Sequence, residues 1–234
     1  MVPLSFAGEE WWLTRSGALF RPRGQCLLVA DLHLEKASYF AAGGQFLPPY
    51  DSRETLGRLA AAICETGARR IFCLGDNFHD GDGPARMEPH AAGMLEALTQ
   101  ATDWVWITGN HDPVLTGRIG GAMVEAAEEG GIIMRHRAFP GETSAEISGH
   151  FHPRVRLTVR KRHIRRPCAV IASLGDSGSE TPSRMILPAF GALTGGMDAS
   201  DPVIVEAMRP ARRLDAVLPA GGKLTRFPLW HAAA

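Results

Sequence analysis

Histidine, aspartate and asparagine residues recur in this sequence directly after short apolar runs. The four groups are Asp31-Leu32-His33, Gly75-Asp76, Gly109-Asn110-His111-Asp112 and Gly149-His150-Phe151-His152. The apolar runs before them predict buried strands. Because ligands bind at the carboxyl ends of strands in open α/β sheets, this placement predicts one shared site. Imidazole, carboxylate and amide donors together indicate a hydrolytic site with two metal ions.

Each donor has a distinct use in such a site. Asp76 stands alone at its strand end, and its two carboxylate oxygens could bridge both ions. Asn110 would add a ligand without adding charge. The pairs of alternate residues, whose spacing suits chelation from one extended segment, are Asp31 with His33 and His150 with His152. The positive charge of two divalent ions would exceed the negative charge of two carboxylates and one hydroxide. The site would therefore attract a phosphate ester.

The same residues indicate a reaction. Paired ions in proteins lie about 3.5–4 Å apart and lower the pKa of bound water, so a bridging hydroxide would be available at neutral pH. The leaving alkoxide then needs a proton. His111 adjoins Asn110 but need not bind metal, so it is our candidate for the general acid. We expect Asp112 and Pro113 to begin a short helix, with Pro113 in its first turn.

Alternating strand and helix patterns would position these groups up to about residue 135. The predicted elements are a hairpin in 11–30 that leads into the first core strand, a helix at 51–66, a strand at 71–74, a helix at 89–100, a strand at 104–107, a short helix at 122–129 and a strand at 132–134. Asp51 and Glu54 have the spacing of a capping box. Later strands are predicted at 145–147, 155–159, 169–172, 185–187 and 203–205, with a mobile hairpin tip at 173–184. This strand-rich half predicts a second sheet packed on the first.

Composition limits the class of protein. The 234 residues are 45% hydrophobic and 21% charged, as in ordinary globular proteins. The formal net charge is zero, so a polyanion would need a local basic patch. There is no apolar stretch of membrane length, no signal peptide pattern, no repeat and no linker, so we expect one cytoplasmic domain over residues 1–234. The cysteines are widely spaced, which favours reduced thiols, and are Cys26, Cys64, Cys73 and Cys168.

In this order, the four groups resemble those of the calcineurin-like metallophosphoesterase superfamily over roughly residues 26–190. The resemblance implies an α/β fold, a four-layer α/β/β/α sandwich with two mixed β-sheets. It implies a dinuclear site in which one ion is held by Asp31, His33, Asp76 and His152, and the other by Asp76, Asn110, His150 and a further histidine. His136 is the only histidine between Asp112 and Gly149, although it precedes Arg137 where many members have glycine. His111 would be the acid, and the two divalent ions would be Mn²⁺, with Fe or Zn as alternatives.

A closer resemblance is to bacterial ligase-associated DNA-damage-response phosphoesterases. It rests on residues 29–36, 47–51 and 187–191, and it implies an endonuclease associated with a DNA ligase and a helicase. Asp76-Asn77-Phe78-His79 is also similar to the Asp-x-Phe-His motif of double-strand-break-repair nucleases, which makes His79 a second catalytic candidate. Protein phosphatases of the superfamily have an aspartate there. The chain therefore resembles the nuclease branch.

A basic run follows the last metal group. It contains Arg154, Arg156, Arg160, Lys161, Arg162, Arg165 and Arg166 without an acidic residue. The run is either a solvated hairpin or a track for a phosphate backbone.

We therefore predict a metal-dependent phosphodiesterase, a nuclease acting on DNA in damage response or repair. The alternative is a phosphoesterase that cleaves a nucleotide or cyclic nucleotide. A third hypothesis is a non-catalytic scaffold for partner proteins, against which the intact ligand set and His111 argue. No membrane partner is expected. The sequence leaves open the native metals, the strandedness of the substrate, exonuclease or endonuclease action, and the oligomeric state.

Overall fold

Two seven-stranded sheets form the centre of the protein. A computed structural model describes residues 1–117, 119–159, 161–174 and 183–231. The strands within these ranges are β1 (Val2–Phe6), β2 (Glu9–Leu13), β3 (Leu19–Arg21), β4 (Cys26–Val29), β5 (Arg70–Leu74), β6 (Asp103–Ile107), β7 (Ala122–Val124), β8 (Ala126–Glu129), β9 (Ile132–Arg135), β10 (Ala145–Ser148), β11 (Arg154–Val159), β12 (Arg162–Pro167), β13 (Ala169–Ser173), β14 (Arg184–Ile186), β15 (Arg213–Ala220) and β16 (Lys223–His231). The helices are α1 (Lys36–Ala42), α2 (Asp51–Thr66), α3 (Gly83–Arg86), α4 (Pro89–Ala101) and α5 (Pro202–Ala207).

Both sheets are mixed. The first has the order β1-β2-β3-β4-β5-β6-β7, with parallel pairing from β4 to β7 and antiparallel pairing before it. The second has the order β16-β15-β13-β14-β10-β9-β8, in which β9, β10 and β14 are parallel. Strands β11 and β12 form a separate two-stranded hairpin. Parallel pairing places the carboxyl ends of β4, β5 and β6 at one edge.

Burial of apolar side chains explains how the layers hold together. The core between the sheets includes Leu28, Phe72, Ile107, Ile147 and Ile171. Helices α2 and α4 cover the other face of the first sheet, through side chains such as Leu56, Leu59 and Leu95. The predicted second sheet packed on the first is confirmed, and so is the α/β sandwich with two mixed sheets.

The outer face of the second sheet is covered differently from the first. Ile204 of the six-residue helix α5 and Val155 of the β11–β12 hairpin pack there with Val170 and Ile186. A short helix and a hairpin therefore stand where a full helical layer was expected. Within the described ranges, no helix has the length and apolar character needed to cross a bilayer.

The helix predicted at 122–129 is wrong. These residues form two strands, β7 beside β6 in the first sheet and β8 beside β9 in the second. Alanine and glutamate favour helix in isolation, but pairing to the edges of both sheets decides the conformation.

The strand predicted at 203–205 is also wrong, because these residues lie in α5. The Asp201 carboxylate accepts a hydrogen bond from the Val203 N–H at 3.0 Å, and Pro202 occupies the first turn. This N-terminal cap outweighs the β-branched composition of the segment.

The capping of α2 and the segment after Asp112 differ from expectation. Helix α2 begins at Asp51 as predicted, but its N-cap is Tyr50. The Asp51 carboxylate, which was expected to cap this helix, instead accepts a hydrogen bond from the Ala37 N–H at 3.1 Å. Residues 113–117 hold no helix, because Asp112 is used to brace the preceding turn, as described below. The strands that flank the tip predicted at 173–184 pair antiparallel, as β13 and β14, and residues 175–182 of the tip lie outside the described residues.

Candidate metal centre

All seven sequence-predicted ligands converge at one edge of the two sheets. They follow five different strands and are Asp31 and His33 after β4, Asp76 after β5, Asn110 after β6, His136 after β9, and His150 and His152 after β10. The first sheet supplies the carboxylates and the second sheet supplies three histidines. The site therefore lies across the sandwich.

One group of donors surrounds a point between Asp31, His33, Asp76 and His152, whose ligand atoms all lie within 4.8 Å of one another. The Nε2 atoms of His33 and His152 are 3.2 Å apart. A carboxylate oxygen of Asp76 lies 3.7 Å from His33 Nε2. A carboxylate oxygen of Asp31 lies 3.6 Å from His152 Nε2. These nitrogen–oxygen distances exceed hydrogen-bond length, and a cation among the four would bind all of them.

A second group contains Asp76, His136 and His150, and Asn110 faces it. His136 Nδ1 is 3.0 Å from the Leu74 carbonyl oxygen, which can only accept, so Nδ1 carries the proton. In the neutral ring Nε2 is then an acceptor, yet it lies 3.0 Å from both Asn110 Oδ1 and His150 Nδ1. His136 Nε2 and Asn110 Oδ1 are thus two acceptors that face each other without a proton between them, which fits a metal ion. A carbonyl-bonded imidazole is also the usual arrangement of a metal-binding histidine. Because Asp76 belongs to both groups, its carboxylate can bridge two ions.

Backbone conformation marks the same residues. Five of the seven have φ between 45° and 74°, the left-handed region that costs about 1–3 kcal/mol for non-glycine residues. They are Asp31, His33, Asp76, His150 and His152. The surrounding hydrogen bonds fix this conformation: the His33 N–H donates to the Asp76 carbonyl at 2.9 Å, and the His150 N–H donates to both Asp31 carboxylate oxygens at 3.0 and 2.9 Å.

Two glycines of the motifs allow the strand ends to meet. A Cβ on Gly109 would lie 2.1 Å from the Asp76 backbone nitrogen, so only glycine lets the loop after β6 pass the bridging carboxylate. Gly75 has φ +76°, and a Cβ there would lie 2.4 Å from His136 Nδ1. These close contacts explain why glycine precedes Asn110 and Asp76 in the sequence.

The sequence analysis missed the role of Asp112. Its carboxylate is fully buried and accepts from the backbone N–H groups of Asn77 at 2.8 Å, Phe78 at 3.1 Å and Gly109 at 3.0 Å. Burial raises the pKa of Asp112, and these hydrogen bonds oppose that shift. Asp112 thus joins the loop that carries Asn110 to the loop that carries His79. Its place in the Gly-Asn-His-Asp turn was the signal for this role.

His111 and His79 lie together at the rim. Their rings stack with centroids 4.9 Å apart, and the His111 ring centroid is 5.1 Å from that of His33. The exposed His111 is held at two points: its N–H donates to Asp76 Oδ1, and its Nδ1 lies beside the His79 carbonyl, both at 3.0 Å. Their catalytic roles stay predictions.

Burial favours the neutral form of two histidines of the site, His33 and His79. It lowers the pKa of His33 to about 2, with further lowering from His152 and His111. Burial also lowers the pKa of His79 to about 4, followed by the positive charge of Lys36. Neutral imidazoles are the form that binds metal ions.

Helix α1 supplies an aromatic wall beside His79. Glu35, buried and at φ 62°, precedes the helix, and its carboxylate accepts from the Ser52 and Ser38 hydroxyls at 2.7 Å each. The Tyr39 ring then lies 4.8 Å from the His79 ring, edge to face. The sequence places Glu35 at the start of a helix but does not predict these contacts of Glu35 and Tyr39, because they depend on α2 and on the β5 loop.

The basic run forms most of the β11–β12 hairpin, and part of it is used within the protein. Arg156 pairs with Asp198 at 2.6 Å, and Arg154 and Arg165 donate to the carbonyls of Thr194 at 2.9 Å and Gly196 at 2.8 Å. Three other members are exposed, namely Lys161, Arg162 and Arg166. Arg160 lies outside the described residues.

Comparison with known proteins identifies the class. The model of the calcineurin-like phosphoesterase family matches residues 25–162, which include all seven ligand candidates, His79 and His111. The chain belongs to this family and is a metal-dependent phosphoesterase. It is similar to the crystal structure of Pseudomonas putida nuclease MPE, with 25% sequence identity and a TM-score of 0.66 over 97% of this chain and 98% of that one. None of the curated proteins compared matches it.

Proposed function

We propose that this protein is a phosphodiesterase that cleaves DNA, and that its site holds two divalent metal ions, with Mn²⁺ as the first choice. The observation that carries the proposal is the stacked pair His79 and His111 beside the two donor groups. In this proposal the pair would supply a proton donor to a phosphate bound at the metal centre. A histidine, rather than a carboxylate, adjoins the candidate acid, as in the nuclease motif that the sequence resembles.

The proposal gives each of the chain's own residues a role that the geometry supports. The seven ligand candidates would hold the ions, which when bound lower the pKa of water and neutralise charge on the phosphate. Asp76 anchors His111 through the backbone, and the His79 carbonyl fixes the protonated Nδ1 of His111. In the imidazolium form Nε2 of His111 carries a second proton, which it would deliver to the leaving oxygen, so that the ring is left neutral with its proton on Nδ1.

Three observations support DNA as substrate. The structural relative is a nuclease, and its structure and this chain correspond over nearly their whole lengths. The His111 side chain is exposed, so a long substrate can reach it. Lys161, Arg162 and Arg166 are exposed on a hairpin that begins two residues after His152, where they can contact phosphates. We extend the proposal to DNA damage response or repair, alongside a DNA ligase and a helicase, on the resemblance to ligase-associated phosphoesterases.

Two further parts of the proposal concern the chain as a whole. The continuous core between the sheets supports one domain over residues 1–234. All four cysteines are unpaired, which supports a reducing, cytoplasmic location.

A second candidate is a phosphoesterase for nucleotides or cyclic nucleotides. Three arginines of the basic run favour this alternative, because their guanidinium groups already bind segment 194–198 of the protein itself. They are Arg154, Arg156 and Arg165. In this alternative the hairpin is structural, and the metal centre acts on a small ester.

A substrate panel with Mn²⁺ distinguishes the candidates. The substrates are bis(p-nitrophenyl) phosphate, p-nitrophenyl phosphate, 2′,3′- and 3′,5′-cyclic nucleotides, and single- and double-stranded DNA. We expect hydrolysis of the chromogenic diester and of DNA. A chain that hydrolyses cyclic nucleotides efficiently but leaves every DNA intact would contradict the nuclease proposal, and a preparation of Asp76→Ala controls for contaminating nucleases.

A further inference from the structure

A cavity of about 400 Å³ lies beside the metal centre, outside the site described above. Its walls come from the β2–β3 turn, helix α2, segment 188–194, the base of the β11–β12 hairpin and strand β15. These elements are far apart in the sequence, and the fold brings them to one cavity.

Four arginines line this cavity, and none of its lining residues that the structure describes is acidic. They are Arg15, Arg58, Arg154 and Arg166. Arg15 and Arg166 are exposed, and within the described part of the chain none of the four forms an ion pair. The cavity therefore concentrates positive charge in a protein whose formal net charge is zero.

The guanidinium group of Arg58 is held in place by two contacts. Its guanidinium lies over the Phe190 ring, 5.0 Å from the centroid, and one of its nitrogens is 3.5 Å from the Ser16 carbonyl oxygen. Burial lowers the pKa of Arg58, because the charged form loses solvation. The charge of Glu54, one helical turn earlier, opposes this shift in pKa, but Glu54 forms no ion pair with Arg58. A partly buried guanidinium without an ion-pair partner is stabilised when an anion enters.

The remainder of the lining determines the class of anion. Apolar side chains form much of the surface, including Leu13, Pro188, Val217 and Leu218. Planar guanidinium groups bind phosphate oxygens in pairs, whereas an apolar wall suits a sugar or a base. A nucleotide combines these two features.

One wall of the cavity is joined to the metal centre. In segment 188–194 the Phe190 N–H donates to the Ala30 carbonyl at 2.8 Å, and the Gly191 N–H donates to the Asp31 carbonyl at 3.2 Å. A ligand in the cavity would thus contact the segment that supports the first metal ligand. The cavity and the first metal ligand therefore share one supporting segment.

We propose that this arginine cavity binds the phosphate of a nucleotide, either within a DNA strand that extends from the metal centre or as a free nucleotide. The first form rests on the proposed function. The second does not, because it needs only the cavity.

The test measures binding of two probes to the full chain in Mn²⁺. One probe is a fluorescent fifteen-residue oligo(dT) with phosphorothioate linkages, and the other is AMP. Arg58→Gln should weaken binding about tenfold or more, the effect of losing a charged hydrogen bond, and Arg15→Ala about threefold. The matched control is Arg69→Ala, an exposed arginine at the opposite end of the first sheet that does not line the cavity, and it should bind both probes as the parent does.

Each outcome decides between the forms of the proposal. Weakened oligonucleotide binding alone supports a strand phosphate, and weakened binding of AMP supports a free-nucleotide site. Unchanged binding of both probes by both variants would overturn the proposal. If Arg58→Gln fails to fold, the binding measured with Arg15→Ala decides whether the proposal stands. Arg15 is exposed, so its replacement should not prevent folding. Hydrolysis of bis(p-nitrophenyl) phosphate by the parent chain reports separately on the proposed function, so a cavity that binds nucleotides in an inactive protein would leave this inference standing.

Discussion

The metal centre and the β11–β12 hairpin differ in how firmly the fold fixes their charged groups. At the metal centre Asp31 and Asp76 are 0% and 2% exposed, and their backbones are held in the left-handed region by hydrogen bonds. In the hairpin, Lys161 and Arg162 are exposed, and the two strands form a separate two-stranded sheet whose backbone is joined to segment 197–199 at its base, through Arg154.

The difference reflects what each region would do. Ion binding and proton transfer require donor atoms held within fractions of an ångström, which only an over-determined backbone provides. Attraction of a phosphate backbone requires charge at the right distance and tolerates movement. We therefore expect substitutions at the metal centre to change activity by orders of magnitude, and substitutions in the hairpin to change it by small factors.

The largest effect should come from Asp76→Ala, because Asp76 belongs to both donor groups. We expect metal content to fall from two ions per chain to one or none. Hydrolysis of a phosphodiester should fall about 10³-fold or more, since the ions supply several kcal/mol of transition-state stabilisation. The measurements are elemental analysis and steady-state kinetics. Asp103→Ala removes an exposed carboxylate at the other end of the neighbouring strand and is the control. A variant that keeps both ions would remove Asp76 from the bridging position.

His111→Ala should lower kcat about 10²–10⁴-fold, the usual contribution of acid–base catalysis, while both ions are retained. His90→Ala, an exposed histidine on α4, is the control. Loss of a metal ion would make His111 a ligand instead. An unchanged rate on a diester with a poor leaving group would contradict the role of general acid.

Gly109→Ala tests how tightly the strand ends meet. A Cβ would lie 2.1 Å from the Asp76 nitrogen, so we expect a loss of about 1–3 kcal/mol in the free energy of unfolding. Gly93→Ala in α4, where the added Cβ has nothing within 4 Å, should instead gain up to about 1 kcal/mol. Urea unfolding measures both. Equal stability of the two variants would show that the loop after β6 yields easily. The fold would then not fix the metal centre as firmly as its buried hydrogen bonds imply.

The smallest effect concerns the hairpin. Replacing Lys161 and Arg162 together with alanine should weaken DNA binding several-fold. It should also reduce the slope of log affinity against log salt by about 1–2, because each lost phosphate contact removes about 1 from that slope. The control is the double variant of Arg23 and Arg69, both exposed, which precede β4 and β5 at the ends of these strands opposite the metal centre. An unchanged slope would make the run a solvated hairpin and place the small-molecule candidate first.

Much of the metal-binding half could be predicted from sequence because its signals are local. The strands ending at Val29, Leu74 and Ile107 are continuous apolar runs, and metal-binding residue types follow each within a few positions. Parallel pairing then puts those positions at one edge, so the donors could be grouped without coordinates. The convergence of His136 was implied only by family resemblance, since its position depends on the second sheet.

The errors fall where a partner element decides the conformation. Residues 122–129 contain good helix formers but complete the edges of both sheets, and Val203 to Val205 look like a strand but follow the Asp201 cap. Strands β1, β15 and β16 were missed; β16 contains Pro228, which interrupts the expected pattern. The place of Asp112 in its turn indicated the contact with Gly109, but its partners Asn77 and Phe78 could not be predicted because they lie more than thirty positions away.

A crystal structure with Mn²⁺, using anomalous scattering to locate the ions, tests the central claim most directly. The account predicts two ions about 3.5–4 Å apart and bridged by Asp76. One ion should contact Asp31, His33 and His152, and the other Asn110, His136 and His150. A single ion, or two ions with His136 turned away from both, would contradict it.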